Sequence, residues 1–310
     1  MEKMRRVAKK VLSECMNLKE DESYLVITDE TTQEVGRVLY EQGREMTREN
    51  YFMMVPCGKE ATVSTPKLAE TALRSAPDVI MIPTKRSYTH MDATTYAWKN
   101  GSRIATLPGI TKDIFKRTLD IDYGELRERG EILISKLEKA ERVKIKTKSG
   151  TNLKMKIPNR ILPDLGKFNE PGEYGNLPAG EVFTAPDKDE VNGKIVIDSM
   201  QDIANPKTEL IVYKGKVQEV EGDDGFKEKL WGYRNGRRIA ELGIGLNPKA
   251  TITGNILEDE KVMGTCHVAL GKNINFGGKV DSEIHWDAIL IKPDIWLDGE
   301  KIMDSGKMVE

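Results

Sequence analysis

Residues 284–291 read IHWDAILI, and two stretches upstream share their grammar: IAELGIG at 239–245 and GTCHVALG at 264–271. Under a strand's period of two, His285, Asp287, Ile289 and Ile291 share one face of the last stretch, and Ile284, Trp286, Ala288 and Leu290 share the other. Both faces are mostly apolar, which predicts a buried strand carrying an imidazole and a carboxylate. In GTCHVALG, His267 lies with the small Thr265 and Ala269, while Cys266, Val268 and Leu270 make the apolar side. In IAELGIG, Glu241 lies with Gly243 and Gly245, glycines that leave room for a close approach to the backbone. GEVFTAP at 180–186 adds Glu181 at the start of a further strand.

An ionised carboxylate beside an imidazole in apolar surroundings is costly without a partner, and a bound cation suits both groups at once. Glu181, Glu241 and Asp287 supply three negative charges, and His267 and His285, two of the chain's three histidines, supply neutral nitrogen ligands. A single tetrahedral ion needs four ligands, and a catalytic one usually takes three from the protein. Five candidates, with carboxylates able to bridge, predict two divalent ions close together.

The segments NLPAGEVFTAP at 176–186, ELGIG at 241–245, DEK at 259–261 followed by GTCHVALG, and HWD at 285–287 resemble, in this order, the motifs of the thermophilic-type metallo-aminopeptidases, the family that includes aminopeptidase T. The resemblance covers most of the region from about Asn176 to Asp298. By position it implies metal ligands at Glu181, Glu241, His267, His285 and Asp287, two ions of Zn or Co, a peptide substrate and a homodimer. The chain departs from the family pattern in having no tyrosine between His267 and His285.

Composition frames the rest. The chain has 310 residues, 38% hydrophobic and 32% charged, with a formal net charge of −2. It shows no basic patch interleaved with aromatics, so nucleic acid is not an expected partner. Apolar runs such as VIMI and AILI are far too short to span a membrane, and MEKMRRVAKKVL lacks a signal-peptide core. Three cysteines, Cys15, Cys57 and Cys266, without CxxC spacing, suit a reducing cytoplasm.

Read in order, the first part opens with an amphipathic helix burying Met4, Val7, Val11, Leu12 and Cys15. Strands then alternate with helices: YLVIT at 24–28, a helix over 32–42, a strand at 51–55, DVIMI at 78–82, a helix over 92–99 and a strand at 103–107. That alternation predicts a small, doubly wound, parallel α/β domain over residues 1–140, left through a long charged helix at about 124–142. From Val143 the pattern turns to hairpins, beginning with VKIKTKSGTNLKMKI, which predicts a mainly antiparallel α+β metal-binding domain over 141–310. The Pro- and Gly-rich stretch 159–180 carries no regular pattern and reads as a long functional loop.

Two further sets of residues are candidates for chemistry. Glu258 and Glu260 in LEDEK are close enough in sequence to the donors to shuttle a proton. His90, in RSYTHMDATTYAWKNG, follows the third strand at the edge where open α/β sheets bind ligands. A similar SxTH segment occurs in the related iron-dependent dihydroxypyridine dioxygenases, where the resemblance implies a histidine acting on substrate. The expected activity is therefore a cytoplasmic metallo-aminopeptidase using water activated by two metals. The rival readings are a mononuclear non-haem Fe(II) ring-cleaving dioxygenase, built on His267, His285 and Asp287, and a non-catalytic, metal-stabilised protein. The missing tyrosine and the presence of His90 favour the dioxygenase, whereas Glu181 and Glu241 count against it.

Overall fold

The computed structural model of the protein describes residues 1–57, 65–89 and 91–309. The chain forms two compact units, Met1–Tyr123 with Gly166–Ala179, and Gly124–Leu165 with Gly180–Glu310. The expected boundary at 140 thus falls earlier, and the first unit takes back a segment from downstream. The helix Tyr123–Leu137 belongs mostly with the second unit, where Gly130 leaves no space for a side chain against Leu165 and Arg129 donates to the Leu246 carbonyl.

In the first unit the opening helix Glu2–Lys10 runs on into a turn of π-helix, Val11–Cys15, and Met4, Val7, Val11, Leu12 and Cys15 are all buried as their spacing predicts. Its sheet is parallel throughout, in the order Glu49–Met54, Ser23–Thr28, Val79–Ile82, Arg103–Thr106, Tyr174–Asn176. Numbered by position in the chain this is the doubly wound order 2-1-3-4-5, whose crevice opens where the first and third strands part. Leu25, Ile27, Ile80, Ile82 and Ile104 pack with Leu73 and Ala97 from the helices. A strand covered on both faces reads as a continuous apolar run, and VIMI is buried at all four positions.

The second unit is antiparallel, as expected. Eight strands make one sheet, and its central hairpin, Arg142–Lys146 with Asn152–Lys156, turns at the predicted place. The helix Asp224–Gly232 is capped by Asp223, whose carboxylate accepts from the Phe226 N–H at 2.9 Å. The other sheet has the order His285–Ile291, Thr265–Gly271, Ile239–Gly245, Glu181–Thr184, Leu162–Asp164. The stretch 159–180 is therefore not one patternless loop. It contributes the strand Leu162–Asp164 to this sheet and Tyr174–Asn176 to the parallel one. No described helix is long and apolar enough to cross a membrane.

Candidate metal centre

The five-stranded antiparallel sheet brings the five donors to one face. Its register sets Ala269 opposite both Glu241 and Asp287, Gly243 opposite both His267 and Phe183, and Gly245 opposite Glu181. The strands Ile239–Gly245 and Thr265–Gly271 are buried at every position, so Glu241 and His267 stand in the interior of the unit. The room that the glycines leave is used by the protein itself. A Cβ at Gly243 would stand 2.1 Å from the His267 ring, and one at Gly245 would meet the Val262 carbonyl at 2.2 Å.

Two groups of donors result, Glu181 with Glu241 and His267, and Glu241 with His285 and Asp287. Glu241 belongs to both. Its Oε1 lies 3.4 Å from His267 Nε2, and its Oε2 lies 3.4 Å from His285 Nε2. Asp287 Oδ1 approaches His285 Nε2 at 3.4 Å, and Glu181 Oε2 approaches His267 Nε2 at 3.3 Å. His285 Nδ1 lies 2.7 Å from the Lys272 carbonyl, which can only accept, so Nδ1 carries a proton and Nε2 is the atom turned to the carboxylates, where a second proton or an ion would sit. Phe276 packs edge-on against the same ring, with centroids 5.9 Å apart, and restrains its orientation.

The electrostatics are those of a site short of a cation. Burial would push the His267 imidazole down, yet Glu241, Glu181 and Asp287 carry it up to about 9. Burial likewise opposes a charge on His285, and Asp287 and Glu241 outweigh it. Burial would raise Asp287, but the two imidazoles bring it to about 2. Protons on the histidines thus do the neutralising that a bound metal would otherwise do, and metal and proton compete for the same Nε2 atoms. Glu181 Oε2 and His267 Nδ1 are buried without a hydrogen-bond partner among the described residues. An unpartnered buried carboxylate oxygen beside converging imidazole nitrogens fits a divalent ion.

The remaining candidates are distributed differently. Glu260 is drawn in through Lys261, and burial, reinforced by Glu181 and Asp287, raises it to about 8. Glu258 is engaged by the preceding loop, accepting from the Thr251 N–H at 2.7 Å and from the Thr253 hydroxyl at 3.3 Å. His90 lies outside the described residues. Two residues at the centre escape a reading of the sequence, Lys261 and Asp164. Lys261 Nζ lies 2.5 Å from Glu181 Oε1 and 2.9 Å from each of Asp164 and Glu260. Nothing local marks this lysine as buried, because its partner Asp164 comes from the far edge of the sheet.

Comparison with known proteins bears on which reading the chain supports. The model of the family described as NicX, 2,5-dihydroxypyridine 5,6-dioxygenase, matches residues 3–310. A curated 2,5-dihydroxypyridine 5,6-dioxygenase from Pseudomonas putida is 26% identical over 197 residues, 56% of this chain and 55% of that protein. By that alignment the chain spans about half the length of the curated relative it matches. Among solved structures, the 2,5-dihydroxypyridine dioxygenase from Pseudomonas putida KT2440 superposes with a TM-score of 0.83 at 19% identity, covering 99% of this chain and 96% of the other. Wild-type AmpT from Thermus thermophilus superposes with a TM-score of 0.75 at 15% identity, covering 100% and 99%.

The family match overturns the expected aminopeptidase, and with it the hydrolase and peptide-substrate expectations. The physical reason lies in what the shared motifs encode. ELGIG, GTCHVALG and HWD build one sheet of this chain, and its fold is shared with both AmpT and the dioxygenase, so motifs that build the fold do not by themselves select a reaction.

Proposed function

The chain belongs to the 2,5-dihydroxypyridine 5,6-dioxygenase (NicX) family, and on that footing we propose that it is an Fe(II)-dependent dioxygenase opening the ring of a dihydroxylated pyridine. The observation that carries this reading is the convergence of His267 Nε2 and His285 Nε2 on one buried carboxylate, with Asp287 beside His285. His267, His285 and Asp287 would supply a two-histidine, one-carboxylate set of the kind mononuclear iron oxygenases use, with the free oxygen of Glu181, which faces His267, as a further donor. Held by these residues, Fe(II) would supply the redox chemistry that dioxygen activation needs.

The protein's own residues do the rest. Lys272 holds the His285 tautomer through its carbonyl, and the close fit of Gly243 under the His267 ring fixes the other imidazole. Glu241, facing both rings, keeps negative charge against the cation, and an ion held at the two Nε2 atoms would take the place of their protons. Burial of Glu241, His267 and Asp287 keeps water from the inner side of the centre. His90, through the resemblance of its SxTH segment, is the candidate for acting on the substrate.

The test is anaerobic loading with Fe(II), followed by dioxygen uptake and loss of substrate absorbance on 2,5-dihydroxypyridine and related diols. One iron per chain and one dioxygen per ring opened are expected. In the same assay His90→Ala lowers kcat/KM with iron content unchanged. A loaded protein that consumes no dioxygen with any of these compounds sinks the proposal.

A further inference from the structure

Among the described residues Lys261 is the largest charged side chain that is fully buried, 1% exposed, and it adjoins the donors without being able to bind a metal in its charged form. An ammonium has three N–H donors, and Lys261 faces three carboxylate oxygens, Glu181 Oε1, Asp164 Oδ2 and Glu260 Oε1. All three donors are therefore engaged. Asp164 and Glu181 stand directly opposite each other on neighbouring antiparallel strands, a pairing of like charges that is unfavourable unless a cation lies between. The lysine fills that need, and it takes only one oxygen of Glu181. The other, Oε2, faces His267 Nε2 with no hydrogen-bond partner among the described residues.

We propose that Lys261 is a positioning residue of the metal centre, pinning Glu181 by one oxygen so that the other is held ready for the ion. The inference rests on the metal-centre reading above and adds to it an outer-shell device of the kind that usually orients ligating carboxylates. It also gives Asp164 a part: from the opposite side it keeps the ammonium from following Glu181 into the centre. Without Lys261, Glu181 could turn away from His267, and the strand pair would carry two unscreened carboxylates.

The experiment is a double-mutant cycle read as Fe(II) affinity, by anaerobic competition with a chelating dye, on the 310-residue chain. Lys261→Met keeps the length of the stem and removes the charge. Glu181→Gln keeps an oxygen for Lys261 and weakens the donor. Each single change is expected to lower affinity about 10- to 100-fold, and the double change no further than the worse single, because Lys261 acts through Glu181. A purely structural lysine would lower the thermal midpoint of the metal-free protein in both backgrounds and leave affinity alone. Additive losses, or an unchanged affinity in Lys261→Met, overturn the proposal. Should Lys261→Met fail to fold, Asp164→Asn, which loosens the ammonium from the other side, takes its place in the cycle with the same non-additivity expected. A wild type that binds no Fe(II) overturns the dioxygenase reading, whereas one that binds it with additive losses overturns only the role of Lys261.

Discussion

The strands Val79–Ile82 and Thr265–Gly271 are equally buried, every residue of each, yet they answer to different demands. The first is VIMI in a parallel sheet, and its burial is apolar transfer free energy and little else. The second carries His267 among Val268, Ala269 and Leu270, facing Glu181 and Glu241 across the ladder. Burying those groups costs free energy that only charge pairing or an ion offsets. The difference teaches where stability and function separate: the parallel sheet stands without a ligand, while the donor sheet is complete only with its counter-charges.

Opposite substitutions should break that comparison most sharply. Asp287→Ala removes one of the few anionic donors and should lower kcat/KM for dioxygen uptake about a hundredfold or more, roughly 2.7 kcal/mol of transition-state stabilisation. Ile80→Ala empties a fully buried site in the parallel sheet and should cost about 2–5 kcal/mol of folding stability. Thermal unfolding with and without Fe(II) separates the two. Iron should raise the midpoint of the wild type and of Ile80→Ala, and leave that of Asp287→Ala where it was. A midpoint of Asp287→Ala that rises with iron as much as the wild type's would remove Asp287 from the ligand set.

Much of this division is legible in the sequence, for physical reasons. The parallel sheet shows itself because strands covered on both faces, such as VIMI, are apolar without alternation. The donor strands show themselves because Glu241, His267 and Asp287 interrupt apolar period-two runs, which a surface strand has no need to do. Leu162–Asp164 and Tyr174–Asn176 stay hidden, being three residues long and stabilised by partners far away in the chain, not by their own propensity. Lys261 stays hidden because DEK has the composition of a solvated turn, and its burial depends on Asp164 almost a hundred residues earlier. The reaction is hidden for another reason. Segments that build a fold say little about the reaction it carries, because one fold serves more than one chemistry.

A smaller effect should come from the backbone under the site. Gly243→Ala places a methyl 2.1 Å from the His267 ring, in a strand whose neighbours are also backbone-tight, so the imidazole must move. Fe(II) affinity should fall on the order of tenfold, the size of a displaced outer support. Ile27→Val, a comparable change of one methyl in the parallel sheet, should leave affinity unchanged and cost only about 1 kcal/mol of stability. Equal affinities for Gly243→Ala and wild type would mean that the ring position is not set by this glycine.

The smallest expected effect belongs to a polar feature at the end of the parallel sheet's first strand, and it tests whether the charge of that group contributes to stability there. Asp29 follows the strand Ser23–Thr28, at the crevice where the first and third strands part. Its Oδ1 accepts from the Thr31 N–H at 2.9 Å and from the Thr31 hydroxyl at 2.6 Å, and its Oδ2 accepts from the Lys85 N–H at 2.6 Å. Burial alone would raise its pKa, but the hydrogen bonds from Thr31, Lys85 and Thr32 outweigh burial and hold it below the usual carboxylate value. A carboxylate whose folded pKa lies below its unfolded one contributes stability that is complete above the unfolded value, about 3.9, and is lost as pH falls through the folded one. Asp29→Asn keeps the shape but turns one acceptor into a donor facing an N–H. The variant should therefore be less stable than wild type at pH 7, with the gap closing as the pH is taken below the ordinary carboxylate range. Urea unfolding across that range measures it, under metal-free conditions so that the donor sheet's protons affect both proteins alike. A gap that stays constant down to the acid limit would assign the loss to packing at the crevice and leave the charge of Asp29 with no share in the stability of the fold.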